Sequence, residues 1–336
     1  MEKARADNKR NFIILVAAFA AVYIFWGSTY LGIKYALETL PPFLMAGTRF
    51  AVAGSLLYLW ARFSKDYDKP TLAHWRTSFI VGTLLLLGGN GGVVIAQHYI
   101  SSSMTALLVA TEPLWIIILS WLWLRSGRPN WKVALGLIIG FAGVWLLISG
   151  RGSEAGAVTG DIGQWIGILA VIGGALFWAV GSIYGLRSPA PKSSIMTAGM
   201  QMLTGSVSLL AVGAIRGEWS TFDPAAVTFT SIYALFYLMI FGSIIGFTAY
   251  SWLLKNAQPS MVATYAYVNP VIAVLLGWAI AGEVLTGQML IGAFIVVVSV
   301  ALVTSTRKSK LSEDSGGAIH ESKTPPHTRP SFSTSS

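Results

Sequence analysis

Apolar residues run along this chain in long blocks broken by short polar stretches, with little of the in-and-out alternation that a half-buried strand or a surface helix would show. The blocks lie at 12–37, 42–62, 75–98, 102–124, 131–149, 163–186, 194–215, 228–254, 259–281 and 287–305. A helix that crosses the hydrocarbon core of a bilayer needs about 20 mostly apolar residues, so the pattern predicts ten membrane-spanning helices. The 75–98 block is the least regular, because Gly88-Gly89-Asn90-Gly91-Gly92 interrupts it. The basic Met1–Arg10 followed by Ala18-Phe19-Ala20 has the outline of a cleavable signal. The apolar run continues through Trp26 to Leu37, however, which is the length of a spanning helix.

Composition agrees with lipid as the solvent. Of 336 residues, 54% are hydrophobic and 11% charged, where soluble domains carry about 25% charged residues. The expected fold class is therefore an all-α integral membrane protein. There is no cysteine, which removes disulfides and thiolate metal sites from consideration. The net charge of +9 could suggest nucleic acid, but its placement argues otherwise. With ten spans the loops alternate sides, and 19 of the 23 Lys and Arg residues fall in one set: the N-terminus, the Arg62–Arg76, Arg125–Lys132 and Arg187–Lys192 connections, Lys255 and the tail. Lys34, Arg151 and Arg216 fall in the other set, and Arg49 lies inside a span. Positive loops stay cytoplasmic, so both termini are expected inside, with anionic lipid headgroups as the natural partner of the charge. Nucleic acid is not an expected partner.

The two halves of the chain resemble each other. Ser103-Met104 and Glu112-Pro113 recur 157 residues later as Ser260-Met261 and Asn269-Pro270, and Trp121 recurs as Trp278. At an offset of 152, Trp26 falls on Trp178 and Ala46-Gly47-Thr48-Arg49 on Ala198-Gly199-Met200-Gln201. Two offsets imply one small insertion. Five spans is an odd number, so the second half enters the membrane from the opposite side, the inverted construction common among secondary transporters. The expected division is a cytoplasmic N-terminus (1–11), a first five-helix repeat (12–149), an extracytoplasmic connection (150–162), a second repeat (163–305) and a Ser/Thr/Pro-rich, disordered cytoplasmic tail (306–336).

At Trp26-Gly27-Ser28-Thr29-Tyr30, Pro41-Pro42, Met45–Phe50 and Gly89-Asn90-Gly91, and again at Ala263–Val271, Leu275-Leu276-Gly277 and Gly282-Glu283, the sequence resembles the EamA family of the drug/metabolite transporter superfamily. The resemblance covers nearly everything from Phe12 to about Thr306. It implies export of small metabolites or drug-like molecules, amino acids or related amphipathic compounds among them, across the cytoplasmic membrane through a central cavity. One departure is visible: Gly282-Glu283 maps in the first half to Arg125-Ser126.

An ionised group costs about 2.5–3.5 kcal/mol at the centre of a membrane helix, so an intramembrane charge is a site hypothesis by default. Two charges qualify. At 1.5 Å per residue, Arg49 lies about 10 Å and Glu112 about 15 Å below the outer ends of their spans. Either Arg49 attracts a substrate carboxylate while Glu112 takes an amine or a coupling proton, or the two form a permanent ion pair that orders the bundle. Asn90, among its glycines, is a candidate ligand in a weakened helix, with close helix packing as the other use of those glycines. Gln97 follows near the outer end. Asn269, mate of Glu112, and Gln201, mate of Arg49, are neutral, so the cavity is expected to be asymmetric. Trp26, Tyr30, Trp178 and Tyr265 lie deep enough to stack on an amphipathic substrate, whereas Trp75, Trp131 and Trp219 suit the interfacial belt.

No His-Glu-x-x-His zinc motif, reactive thiol or phosphate-cradling loop occurs, so neither an enzyme nor a nucleotide-driven pump is expected, and no cofactor is called for. A secondary transporter is the favoured reading, with a proton as candidate coupling ion. A passive channel-like facilitator or a membrane scaffold is the alternative.

Overall fold

In the computed structural model, residues 2–64, 67–124, 131–149, 161–257, 262, 264–299 and 302 are described. The 150–160 connection, the tail from 306, the Arg125-Ser126 pair and Ser260-Met261 lie outside the described residues. The described chain is all-helical. Seven helices are long and apolar enough to cross a membrane: α1 (Phe12–Ala36), α2 (Pro42–Phe63), α3 (Leu72–Ala96), α4 (Ser102–Trp123), α6 (Ile162–Arg187), α7 (Ser194–Ile215) and α8 (Phe229–Tyr250). Three more apolar helices are described over shorter lengths: α5 (Trp131–Ser149), α9 (Tyr265–Ala281) and α10 (Gly287–Ser299). Seven of the expected spans are found at full length, with ends moved by a few residues.

The starts of these helices follow from their residues. Pro41-Pro42 opens α2, where a missing N–H costs nothing and φ is already helical. The hydroxyls of Thr71, Ser101, Ser193 and Thr228 accept from the backbone N–H three residues on, capping α3, α4, α7 and α8 in the way that satisfies an otherwise orphaned donor. α2 and α7 begin 152 residues apart, α3 and α8 157 apart. The extra residues therefore sit in the α7–α8 connection, which contains the short helix Glu218–Thr221 and the turn Pro224–Ala226. Glu218 is buried, and its carboxylate accepts from the Leu44 N–H at 2.8 Å, capping α2.

α2 packs against α7, α4 against α9, and α3 against both α6 and α7, while α8 lies against α1 and α2. Glycine makes these approaches possible. A Cβ at Gly54 would lie 2.8 Å from the Met202 Cβ and 3.0 Å from the Gly199 carbonyl oxygen, and one at Gly199 would lie 2.7 Å from the Tyr58 nitrogen. Along α3, a Cβ at Gly88 or Gly89 would collide with Phe177 or Trp178 of α6, and one at Gly92 with the Ala170 carbonyl. Membrane helices gain little from burying apolar surface against one another, so they associate through such small-residue contacts. Of the two uses foreseen for the 88–92 glycines, packing accounts for Gly88, Gly89 and Gly92.

α3 and α8 share a second irregularity: each contains eight π-helical residues, Thr83–Asn90 and Leu238–Ile245. A third π-helical segment, Val22–Trp26, lies in α1. Pro113 and Pro270 differ in effect. α4 breaks at Ala110-Thr111 and restarts at Glu112, so Pro113 falls in a first turn that tolerates it, whereas Pro270 lies inside α9.

At one end of the bundle α9 stops at Gly282, whose φ of +64° suits glycine, and the chain turns back so that Glu283 meets the start of α4. The Glu283 Oε1 accepts from the Ser102 N–H at 3.0 Å, the Ser102 hydroxyl at 2.6 Å and the Lys34 Nζ at 3.0 Å. Its Oε2 accepts from the Ser103 N–H at 3.0 Å and from the Ser103 hydroxyl. Burial pushes this carboxyl up, but the donors of Ser102, Ser103 and Lys34 outweigh burial and hold it below its ordinary 4.5. Its contribution is therefore complete above that pH and is lost only as pH falls through the lower native value.

The α3–α6 seam sets an expectation for stability. Gly92→Val should destabilise the protein by roughly 1–3 kcal/mol through overpacking against Ala170, while Gly173→Ala, where a Cβ meets nothing within 4 Å, should leave it near the parent. Thermal unfolding in detergent reads both.

Candidate functional site

The helix contacts leave between them an open-mouthed cavity, about 740 Å³ of empty space when the solvent at its mouth is counted. Its wall contains Trp26, Tyr30, Arg49, Asn90, Glu112, Trp178, Tyr265 and Asn269. These are the sequence candidates except Gln97 and Gln201. Gln97 sits past the end of α3, buried with neither amide atom hydrogen-bonded. Gln201 is half-buried on α7, and its backbone carbonyl lies against Gly82 of α3.

Arg49 comes from the middle of α2 and is 3% exposed. Its Nε donates to the Ser243 hydroxyl at 2.8 Å, and its guanidinium lies 4.6 Å from the centre of the Phe50 ring. The missing side chain at Gly242 makes room for it, since a Cβ there would lie 3.0 Å from Nη2. The Nη1 has no hydrogen-bond partner. Glu112, 6% exposed, opens the second segment of α4, and its Oε1 accepts from the Tyr265 hydroxyl at 3.2 Å. Arg49 and Glu112 face one cavity without an ion pair between them, whereas Lys34 and Glu283 pair at 3.0 Å. The permanent Arg49–Glu112 pair is thus not the arrangement of this structure.

Aromatic side chains build the wall beside Glu112. The Trp26 indole N–H donates to the Gly242 carbonyl at 3.1 Å, in the π-helical segment of α8. The Trp26 ring meets Tyr265 edge-on at 5.4 Å, Phe247 at 5.3 Å and Tyr250 at 5.0 Å. Tyr265 meets Tyr250 at 5.9 Å, also edge-on, the arrangement ring quadrupoles prefer. With its amide nitrogen turned toward them, Asn269 donates to the carbonyls of Tyr265 at 3.3 Å and Tyr23 at 3.2 Å. These bonds tie the start of α9 to α1, helped by the Tyr23–Thr264 hydroxyl contact at 2.5 Å.

The other half supplies a matching feature. Trp178 of α6 lies on Gly89 of α3, as Trp26 of α1 lies on Gly246 of α8, and Gly89 and Gly246 are separated by the 157-residue offset. Asn90 also faces the cavity, its Oδ1 unpartnered. Sequence reading did not select Phe247, Tyr250 or Ser243. Applying the same offset to Asn90 lands on Phe247 and would have found it. The offset takes Ser243 back to Leu86, so nothing in the repeat marks it.

Chemically, the arrangement offers a buried cation with spare donor capacity, a separate carboxyl group held by one phenol, an amide, and aromatic walls. It can hold a molecule carrying both a charge-bearing and an apolar part. Among the described residues no group of three or more His, Asp or Glu is placed to hold a metal ion.

The model of the EamA-like transporter family matches residues 12–149 and again 165–305. The chain is 38% identical over 297 residues to the uncharacterized inner membrane transporter YedA of Escherichia coli K12, covering 88% of this chain and 92% of that protein. It is 30% identical over 305 residues to the uncharacterized transporter YvbV of Bacillus subtilis, covering 90% and 94%. A chain of known crystal structure aligns with a TM-score of 0.60 at 20% identity, covering 88% of this chain and 98% of that one, and shows a shared fold. On the family match and these relatives, the chain is a multi-pass membrane protein that belongs to the EamA-like transporter family.

Proposed function

We propose that this protein is a secondary transporter that moves small amphipathic metabolites or drug-like molecules out of the cell across the inner membrane. Its two five-helix halves sit in opposite orientations and expose one central site to each side in turn. The observation that carries the reading is the shared cavity of Arg49 and Glu112, two buried and opposite charges that do not neutralise each other. An arginine kept nearly dry with an unsatisfied Nη1 pays a desolvation cost that an anionic group of the substrate would offset. The matched packing of Trp26 on Gly246 and of Trp178 on Gly89 supports the inverted repeat. The bias of basic residues supports cytoplasmic termini, and the name of the YedA relative supports the inner membrane.

In this reading Arg49 takes a substrate carboxylate, while Glu112 takes a substrate amine or a coupling proton. Asn90 and Asn269 fix orientation, and Trp26, Tyr30, Trp178 and Tyr265 line the apolar part of the site. Gln97 and Gln201, off the cavity wall here, belong to the site only in another state of the cycle.

Flux from reconstituted vesicles loaded in turn with amino acids, purines and cationic drugs tests this. A pH gradient should accelerate efflux of the accepted substrate, and Glu112→Gln should abolish that acceleration while the purified protein still elutes as a folded species. Flux indifferent to the gradient would leave passive facilitation. Arg49→Ala should weaken binding of a carboxylate-bearing substrate by about 100-fold, the order expected when a buried charge contact is truncated, and should spare a substrate that lacks the carboxylate. Equal loss for both would assign Arg49 to the scaffold.

A further inference from the structure

The cluster of Lys34, Ser102, Ser103 and Glu283 lies outside the cavity wall, and substrate contact gives no reason for it. It joins the end of α1, the start of α4 and the turn after α9. Each of these three helices also contributes to the cavity: α1 through Trp26 and Tyr30, α4 through Glu112, and α9 through Tyr265 and Asn269. A contact that fastens their ends together fastens one mouth of the cavity.

The fastening rests on a single side chain. Glu283 is 8% exposed and receives every donor that the first two residues of α4 can offer, two backbone N–H groups and two hydroxyls, and Lys34 of α1 as well. Charge-assisted bonds are the strong ones, and a carboxylate at a helix start is also favoured by the helix dipole. The fit is close, because a Cβ at Gly277 would lie 2.6 Å from Glu283 Oε2. Parting α9 from α4 therefore strips one carboxylate of four donors at once, and parting it from α1 removes Lys34, which makes the contact with α4 two-state in character.

The opposite end carries no equivalent in sequence. The 157-residue offset that takes Ser103 to Ser260 takes Glu283 back to Ser126, and the 152-residue offset takes Lys34 to Leu186. Neither the carboxylate nor its lysine partner is repeated.

We propose that Glu283 is the latch of the extracytoplasmic gate: bound to Ser102, Ser103 and Lys34 it holds that mouth closed, and its release is the step that opens the cavity to the outside. This rests on the alternating-access reading and on the orientation inferred from charge. Because the Glu283–Lys34 pair is not repeated in sequence, it biases the resting protein toward the state closed outside. Glu283 acts through the positions of α1, α4 and α9 and does not touch substrate.

The chain has no cysteine, so one introduced thiol is a clean reporter. Val93 lines the cavity three residues from the end of α3, and Val93→Cys can be labelled with a membrane-impermeant maleimide added to right-side-out or inside-out vesicles. Adding Glu283→Gln should raise labelling from outside by about tenfold, the order expected in an equilibrium constant from loss of a charge-assisted hydrogen bond, and should lower labelling from inside. Ser102→Ala with Ser103→Ala keeps the carboxylate and should shift both rates in the same directions by less, so a Glu283 variant that fails to fold does not end the test. Lys34→Glu with Glu283→Lys should fail to restore the parental rates, because a lysine cannot accept from the α4 amides. Rates unchanged in folded protein, or rising from both sides together, would overturn the latch. Alternating access itself would fail on a different result: parental Val93→Cys reacting from both sides at equal rates.

Discussion

Everything in this molecule depends on how closely backbones approach across its midline. In hydrocarbon, apolar side chains gain little by leaving lipid for protein, so the helices are held by contact distance and by the few polar bonds between them. Glycines at 54, 88, 89, 92 and 199 bring α2 against α7 and α3 against α6. α3 leans on α6 and α7, and α8 on α1 and α2, so helices from the two ends of the sequence interlock. The cavity is what remains where the facing helices carry Trp26, Trp178 and Phe247 between glycine contacts.

That geometry also explains why an arginine and a glutamate share one cavity without joining. Arg49 is held to α8 by Ser243, and Glu112 to α9 by Tyr265. Each side chain stands on one helix, α2 or α4, and bonds to another, α8 or α9. A direct pair would satisfy both and leave nothing for a ligand. Keeping them apart stores unsatisfied donor and acceptor capacity in a place that water enters reluctantly, the condition under which a polar contact with substrate counts most.

Much of this was legible in the sequence, and the reasons are physical. The positions of seven spans follow from hydrocarbon thickness, which fixes how long an apolar run must be. The candidates Arg49 and Glu112 follow from the cost of charge in lipid, and Trp26, Trp178 and Asn269 from the repeat. What escaped was of two kinds. Ser243 and Tyr250 are ordinary polar or aromatic residues whose roles come from the residues they meet. The division of Pro113 and Pro270 into a helix start and a helix interior also lay beyond the motif they share, because it depends on the break at Ala110-Thr111. Gln97 and Gln201 lie off the cavity wall of this structure, because depth and repeat position alone do not say which way a side chain faces.

The extra residues between α7 and α8 carry a historical implication. Glu218, which lies among them, caps α2 on the far side of the chain's midpoint. If the halves descend from one ancestral unit, that insertion turned two interchangeable copies into complementary ones: the first now relies for a helix end on a segment it does not possess. A second copy of residues 12–149 joined to the first would leave the Leu44 amide without its carboxylate. Dependence of this sort accumulates in one direction, and it accounts for how a duplicated protein loses the freedom to come apart again.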